Sequence, residues 1–174
     1  YDCGIWKAKK AAEMKLRPVD AIWVRKWKKK QDGTIVIKSR LCARGFLDSQ
    51  VSQLNTRATT ATKLSQKLLL ALSQIFKLEL ESWDVSGAFL KGFPFKEIEK
   101  KLKTKGMSAP KREVSIRPPP DVWQHLKEIE KEKTGRSSGM FNIPTNQLWY
   151  YVLDCIKAMY GLNDAPLAWQ LALQ

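Results

Sequence analysis

The stretch Glu81-Ser-Trp-Asp-Val-Ser-Gly-Ala-Phe-Leu-Lys-Gly92 decides how the rest of the chain is read. Leu78, Leu80, Trp83 and Val85 alternate or cluster around it, which predicts a short strand over Leu78–Val85 entering a core. Asp84 sits between Trp83 and Val85, and a carboxylate among large apolar neighbours is costly to bury unless something pairs it. A metal ion is one such partner, since a strand-end Asp presents a hard oxygen ligand. The other reading is a turn cap, helped by Gly87 and Gly92. The residues of this stretch leave both readings open.

Working outward, the segment before it predicts a helix over Thr62–Phe76. Leu64, Leu68, Leu72, Ile75 and Phe76 recur at helical spacing, and this stripe is expected to face the core. Further back, Ile22–Lys28 and Thr34–Cys42 flank Asp32-Gly33, a turn dipeptide, and predict a β-hairpin. The hairpin and the residues after it carry Lys26, Lys28, Lys38, Arg40 and Arg44. Such charge is either a solvated edge that resists aggregation or a phosphate-binding surface. The local excess favours phosphate, because residues 1–46 hold thirteen Lys/Arg against four acids. Ile5–Arg17, with Ile5, Ala8, Ala12 and Leu16 in register, predicts an amphipathic helix stopped by Pro18. Leu47–Ala61 is polar and reads as a loop.

Downstream, Lys96–Lys105 predicts a short exposed helix ended by Gly106, and Val122–Lys133 a further helix. His125 within the latter reads as a surface or packing residue. Arg117-Pro-Pro-Pro120 reads as an extended segment. Thr134–Asn146 reads as a flexible connector, Gln147–Ile156 as a buried strand or helix edge, and Ala158–Trp169 as a turn opening the last helix.

The whole chain has 174 residues, 44% hydrophobic content and seven Trp, enough for one domain with a core. Its formal net charge of +14 points to a polyanionic partner, most simply nucleic acid. Three widely spaced cysteines (Cys3, Cys42, Cys155) and one histidine argue against a zinc site or disulfide framework and fit an intracellular setting. No apolar run reaches the length of a membrane span, so no membrane partner is expected. The chain opens at Tyr1 and closes inside an apolar helical run, as a fragment of a longer protein would.

Three segments in fixed order resemble the reverse transcriptase of copia-type LTR retrotransposons. They are Trp23-Val24…Lys26…Asp32-Gly-Thr-Ile35…Lys38-Ser-Arg-Leu-Cys-Ala-Arg-Gly-Phe46, then Trp83–Gly92, then Tyr160-Gly-Leu-Asn-Asp-Ala-Pro-Leu-Ala-Trp169. The resemblance spans nearly the whole chain. It implies an α+β, right-hand polymerase fold with fingers and part of the palm, cut before the Asp-Asp hairpin. Residues 1–77 would be mainly fingers, and 78–174 palm with a fingers insertion. It implies templated deoxynucleotide addition with two Mg²⁺ ions (or Mn²⁺ in their place), an RNA/DNA template-primer, dNTPs and the remainder of a Pol polyprotein as partners.

The resemblance also implies roles. Asp84 matches the first catalytic aspartate and metal ligand, with the Val85 carbonyl beside it. Phe89 matches the ring under the incoming sugar, which excludes a ribose 2′-OH by bulk. Lys38 and Arg40 would close over the triphosphate, joined by Tyr160 and Gly161. Lys26, Lys28, Arg44 and Pro166 would contact nucleic acid. Two departures stand out: Asp164 replaces the family's usual Gln and Leu167 its usual Arg. Asp154 and Asp164 do not form the family's acidic pair, so the 174 residues alone are expected not to polymerise. The alternative from a different class is a noncatalytic, basic nucleic-acid-binding remnant. A third is an inert product whose core cannot close.

Overall fold

The computed structural model describes residues 4–135 and 139–173. Cys3 and the middle of the expected connector, residues 136–138, lie outside them. The fold is mixed α+β, built on a five-stranded sheet in the order β1-β5-β4-β2-β3. The strands are β1 (Trp6–Lys10), β2 (Val19–Lys29), β3 (Ile35–Ala43), β4 (Ser115–Arg117) and β5 (Tyr151–Cys155). All neighbours are antiparallel except β2 and β4, which run parallel. Among the described residues four α-helices complete it: α1 (Lys63–Phe76), α2 (Phe95–Thr104), α3 (Pro120–Thr134) and α4 (Ala165–Ala172).

The core lies where the central strands meet helices α2, α3 and α4. Ile116, Leu153 and Met159 are fully excluded from solvent there. Phe95, Ile98 and Leu102 supply the buried stripe of α2, and Val122, Trp123 and Leu126 that of α3. These are helical repeats of three and four residues, so one face of each helix turns inward. Helix α2 is therefore half-embedded, not the exposed helix expected over Lys96–Lys105. The Pro118–Pro120 run is not merely an extended tether either. Pro120 opens α3, where a missing N–H costs nothing and a fixed φ helps. Of the expected connector, Phe141 is a core residue, and the Glu130 carboxylate accepts the Met140 and Phe141 N–H groups.

The β2–β3 hairpin forms as the Asp-Gly signal predicts. Gly33 takes φ +85° at the turn, and Asp32 accepts the Thr34 N–H at 2.9 Å. Its base is buried through Val19, Ala21, Leu41 and Ala43, while Arg25–Lys29 project into solvent. Lys26 faces Lys38 across the ladder.

Three expectations are corrected. Residues 5–17 do not form a helix. Trp6–Lys10 instead pairs antiparallel with β5, Trp6 facing Cys155 and Lys10 facing Tyr151, and a short 3-10 turn follows. The ladder, reinforced by a 2.7 Å Lys9–Asp154 ion pair, outweighs a weak helical pattern. Helix α1 does form, capped by the Thr62 hydroxyl, which accepts the Ser65 N–H. Its stripe, however, is not core: Leu64, Leu68, Ile75 and Phe76 are exposed, and Ser73 is its one buried residue. The strand expected over Leu78–Val85 is absent. Those residues are extended or irregular, and Trp83 is 84% exposed. No described strand lies alongside to supply a ladder, and without one a strand has no hydrogen bonds to hold it.

Candidate functional site

Three segments distant in sequence meet at the inner end of the hairpin. The first is β3, carrying Lys38 and Arg40. The second is the Asp84–Lys91 segment, where Gly87 takes φ +67° and opens a 3-10 turn over Ala88–Lys91. The third is the turn Met159–Asp164, which leads into α4. A cleft of about 210 Å³ lies between them, lined by Lys38, Arg40, Asp84, Val85, Phe89 and Tyr160 among others.

Close backbone contact fixes the hairpin against the last turn. The Ala43 N–H donates to the Tyr160 carbonyl at 2.8 Å. Gly161 takes φ +89°, and a Cβ there would stand 2.0 Å from the Ala43 carbonyl oxygen. Gly45 is equally constrained, since its Cβ would lie 2.1 Å from the Gly161 oxygen. Glycine is required at both positions because a side chain would push β3 off the turn. On the other side, Gly92 packs against Ala168 of α4, where a Cβ would lie 3.0 Å from the Ala168 carbonyl carbon.

Side chains then shape the cleft. The Phe89 and Tyr160 rings meet edge to face, with centroids 5.9 Å apart. The Arg40 guanidinium lies 5.4 Å from the Tyr160 ring centroid, a cation–π contact that leaves its charge on the cleft wall. Asp84 is exposed and stands as the single carboxylate among the residues lining the cleft. It is thus not the buried, desolvated acid that its apolar neighbours imply. Trp83 turns away to donate its indole N–H to Glu81 at 2.9 Å.

Of the residues singled out from sequence, Lys38, Arg40, Asp84, Val85, Phe89 and Tyr160 line this cleft together. Gly161 adjoins it as the backbone hinge. Lys26 and Lys28 lie further out on the exposed hairpin, Arg44 is exposed just past β3, and Pro166 sits in the first turn of α4. Those four are not part of the lining.

The two Mg²⁺ ions that the resemblance implies do not fit the residues present. One carboxylate beside two cationic side chains supplies too few hard oxygen ligands for two dications. Among the described residues, no three His, Cys, Asp or Glu side chains are grouped to hold a metal. The arrangement is suited to holding an anion: two cationic side chains, one of them against an aromatic pair, with a single carboxylate among them.

A second cluster underlies this site and has no signature in sequence spacing. Arg112 is buried, its side chain 4% exposed. It donates from Nη2 to Asp48 at 2.5 Å, from Nε to Asp164 at 2.8 Å and from Nη1 to Gln50 at 3.1 Å. Burial opposes its charge, but hydrogen bonding to Asp48 and the charge of Asp164 outweigh it, so its pKa is raised. Arg112 thereby ties the loop after β3 to the turn that carries Tyr160 and Gly161. The Asp164 that departs from the family pattern is thus an anchor for the turn, and Leu167, the other departure, is a core residue. The residues concerned are 52 and 64 positions apart, so no local motif reveals them.

No described helix is long and apolar enough to cross a membrane. Comparisons of the chain with protein-family profiles, with curated proteins and with solved structures find no match.

Proposed function

We propose that this chain is the fingers and part of the palm of a copia-type reverse transcriptase, and that its cleft receives the deoxynucleoside triphosphate. The observation that supports the reading is the convergence itself. The three stretches that carry the resemblance meet around one cleft lined by two cationic side chains and two aromatic rings. In this reading Lys38 and Arg40 bind the phosphates by charge-assisted hydrogen bonds. Phe89, braced by Tyr160, lies under the sugar and excludes a 2′-hydroxyl. The exposed hairpin, with Lys26 and Lys28, and Arg44 and Pro166 face an RNA or DNA template-primer. Asp84 is the one carboxylate among the lining residues, and nucleotidyl transfer needs further carboxylates that the described residues do not bring to it. The 174 residues alone should therefore give no primer extension.

The test is calorimetric titration with a deoxynucleoside triphosphate. The wild-type chain should bind it, and the Lys38→Ala/Arg40→Ala double variant should bind about tenfold more weakly or worse, since two charge-assisted contacts are lost. Equal affinity in the two proteins would remove the basis for the proposal.

The basic hairpin favours a second reading, a noncatalytic nucleic-acid-binding module. Its outer half is exposed and carries unpaired positive charge, which would serve RNA or DNA binding without any nucleotide in the cleft. Template binding without triphosphate binding would select this reading over the first.

A further inference from the structure

At the opposite edge of the sheet lies a second, larger cleft that shares no lining residue with the first. Its volume is about 560 Å³. It is formed where β1 ends, β4 ends and the 3-10 turn Thr145–Tyr150 enters β5. Lys10, Arg117, Gln147, Trp149, Tyr150 and Tyr151 line it, with no acidic side chain among its lining residues. Trp149 is 73% exposed and Tyr150 67% exposed, side by side at the mouth. Two large exposed rings in one concave lining form a contiguous apolar patch, the kind of surface that marks a binding site.

We propose that this cleft is a stacking platform for single-stranded nucleic acid. A base lies on Trp149 or Tyr150, and the neighbouring phosphates lie against Lys10 and Arg117. Two observations converge on this occupant. Aromatic faces open to solvent accept any base, because every base has a π-face. Arg117 lies over the Trp149 ring at 5.4 Å, which holds the indole plane and places a cation beside it. An apolar protein partner would gain nothing from the two cations, whereas a phosphodiester strand uses both. The inference does not depend on the triphosphate reading of the Asp84 cleft, since the two sites have no residue in common.

The experiment measures anisotropy of labelled single-stranded dT and rU oligomers at about 0.3 M salt, where binding that relies on hairpin charge has largely fallen away. Trp149→Ala should weaken binding about tenfold, the scale of one lost base–aromatic stack, and Trp149→Tyr should retain most of it. Lys10→Ala should reduce the salt slope by about one phosphate contact. Because Trp149 is exposed, Trp149→Ala should melt as the wild type does. The proposal fails if Trp149→Ala binds within twofold of wild type, or if Trp149→Tyr binds as weakly as the alanine variant. It also fails if a duplex of the same length binds better than the single strands. Loss of triphosphate binding with oligomer binding intact would sink the reading of the Asp84 cleft and leave this one standing.

Discussion

Replacing Arg112 by Met is the sharpest test of how this site is held. The methionine keeps much of the side-chain volume and the contact with Phe95, over whose ring the guanidinium lies at 5.4 Å. It removes the positive charge shared by two carboxylates whose side chains are 3% and 9% exposed. Breaking a buried ion pair from one side leaves uncompensated charge, at a cost of about 3–5 kcal/mol. Small domains have roughly 5–15 kcal/mol in all, so the loss would be a large share. With a urea dependence of about 2 kcal/mol per molar, the unfolding midpoint should fall by about 2 M. A further arm separates charge from packing. Adding Asp48→Asn and Asp164→Asn should recover part of the loss, since no buried charge then remains. A loss below about 1 kcal/mol in the single variant, the value of an exposed pair, would refute the clamp.

Other consequences can be checked together. Gly161→Ala should destabilise by about 1–3 kcal/mol or more, because alanine is strained at φ +89° and its methyl group would strike the Ala43 carbonyl; thermal melting reads the effect. Burial, with the charge of Asp154 adding to it, pushes the Cys155 thiol well above its ordinary range. Little thiolate therefore exists at pH 8, and iodoacetamide should leave Cys155 unlabelled in the folded protein and label it in denaturant, as peptide mapping would show. Leu68→Glu, on the exposed face of α1, should change stability by less than about 1 kcal/mol, whereas Ile116→Ala at the sheet centre should cost about 2–5 kcal/mol. Urea titration of the two variants gives the comparison.

Much of this architecture is legible in the residues, and the failures have identifiable causes. The Asp32-Gly33 turn and its flanking strands could be read locally because the turn chemistry and the β-branched run agree. Helix α1 could be located from its period and its Thr62 cap, but its environment could not. Periodicity reports that a face is apolar, not that something covers it. The same gap explains Leu78–Val85, where an alternating pattern lacks a partner strand. Trp6–Lys10 looks helical in a local window because its pairing with β5 joins residues about 145 apart, and a window along the chain carries no trace of that ladder. At the site, Lys38, Arg40, Asp84, Val85, Phe89 and Tyr160 line one cleft although they come from three segments distant in sequence. The Arg112 clamp stayed hidden, because Asp48, Arg112 and Asp164 are ordinary charges until the fold buries them together.

The central claim is that the Asp84 cleft takes a deoxynucleoside triphosphate with Phe89 under the sugar. Phe89 is half-buried against Tyr160, so its ring is held in place and cannot easily yield to an extra hydroxyl. The most direct measurement is a pair of calorimetric titrations, dTTP and its ribose counterpart, on the wild-type chain and on Phe89→Ala. The wild type should bind the deoxy form more tightly by about tenfold, on the scale of 1–3 kcal/mol for an overpacked contact. Phe89→Ala should bring the two affinities together by admitting the ribose form. Equal binding of the two nucleotides by the wild-type chain, or discrimination that survives in Phe89→Ala, would contradict the account.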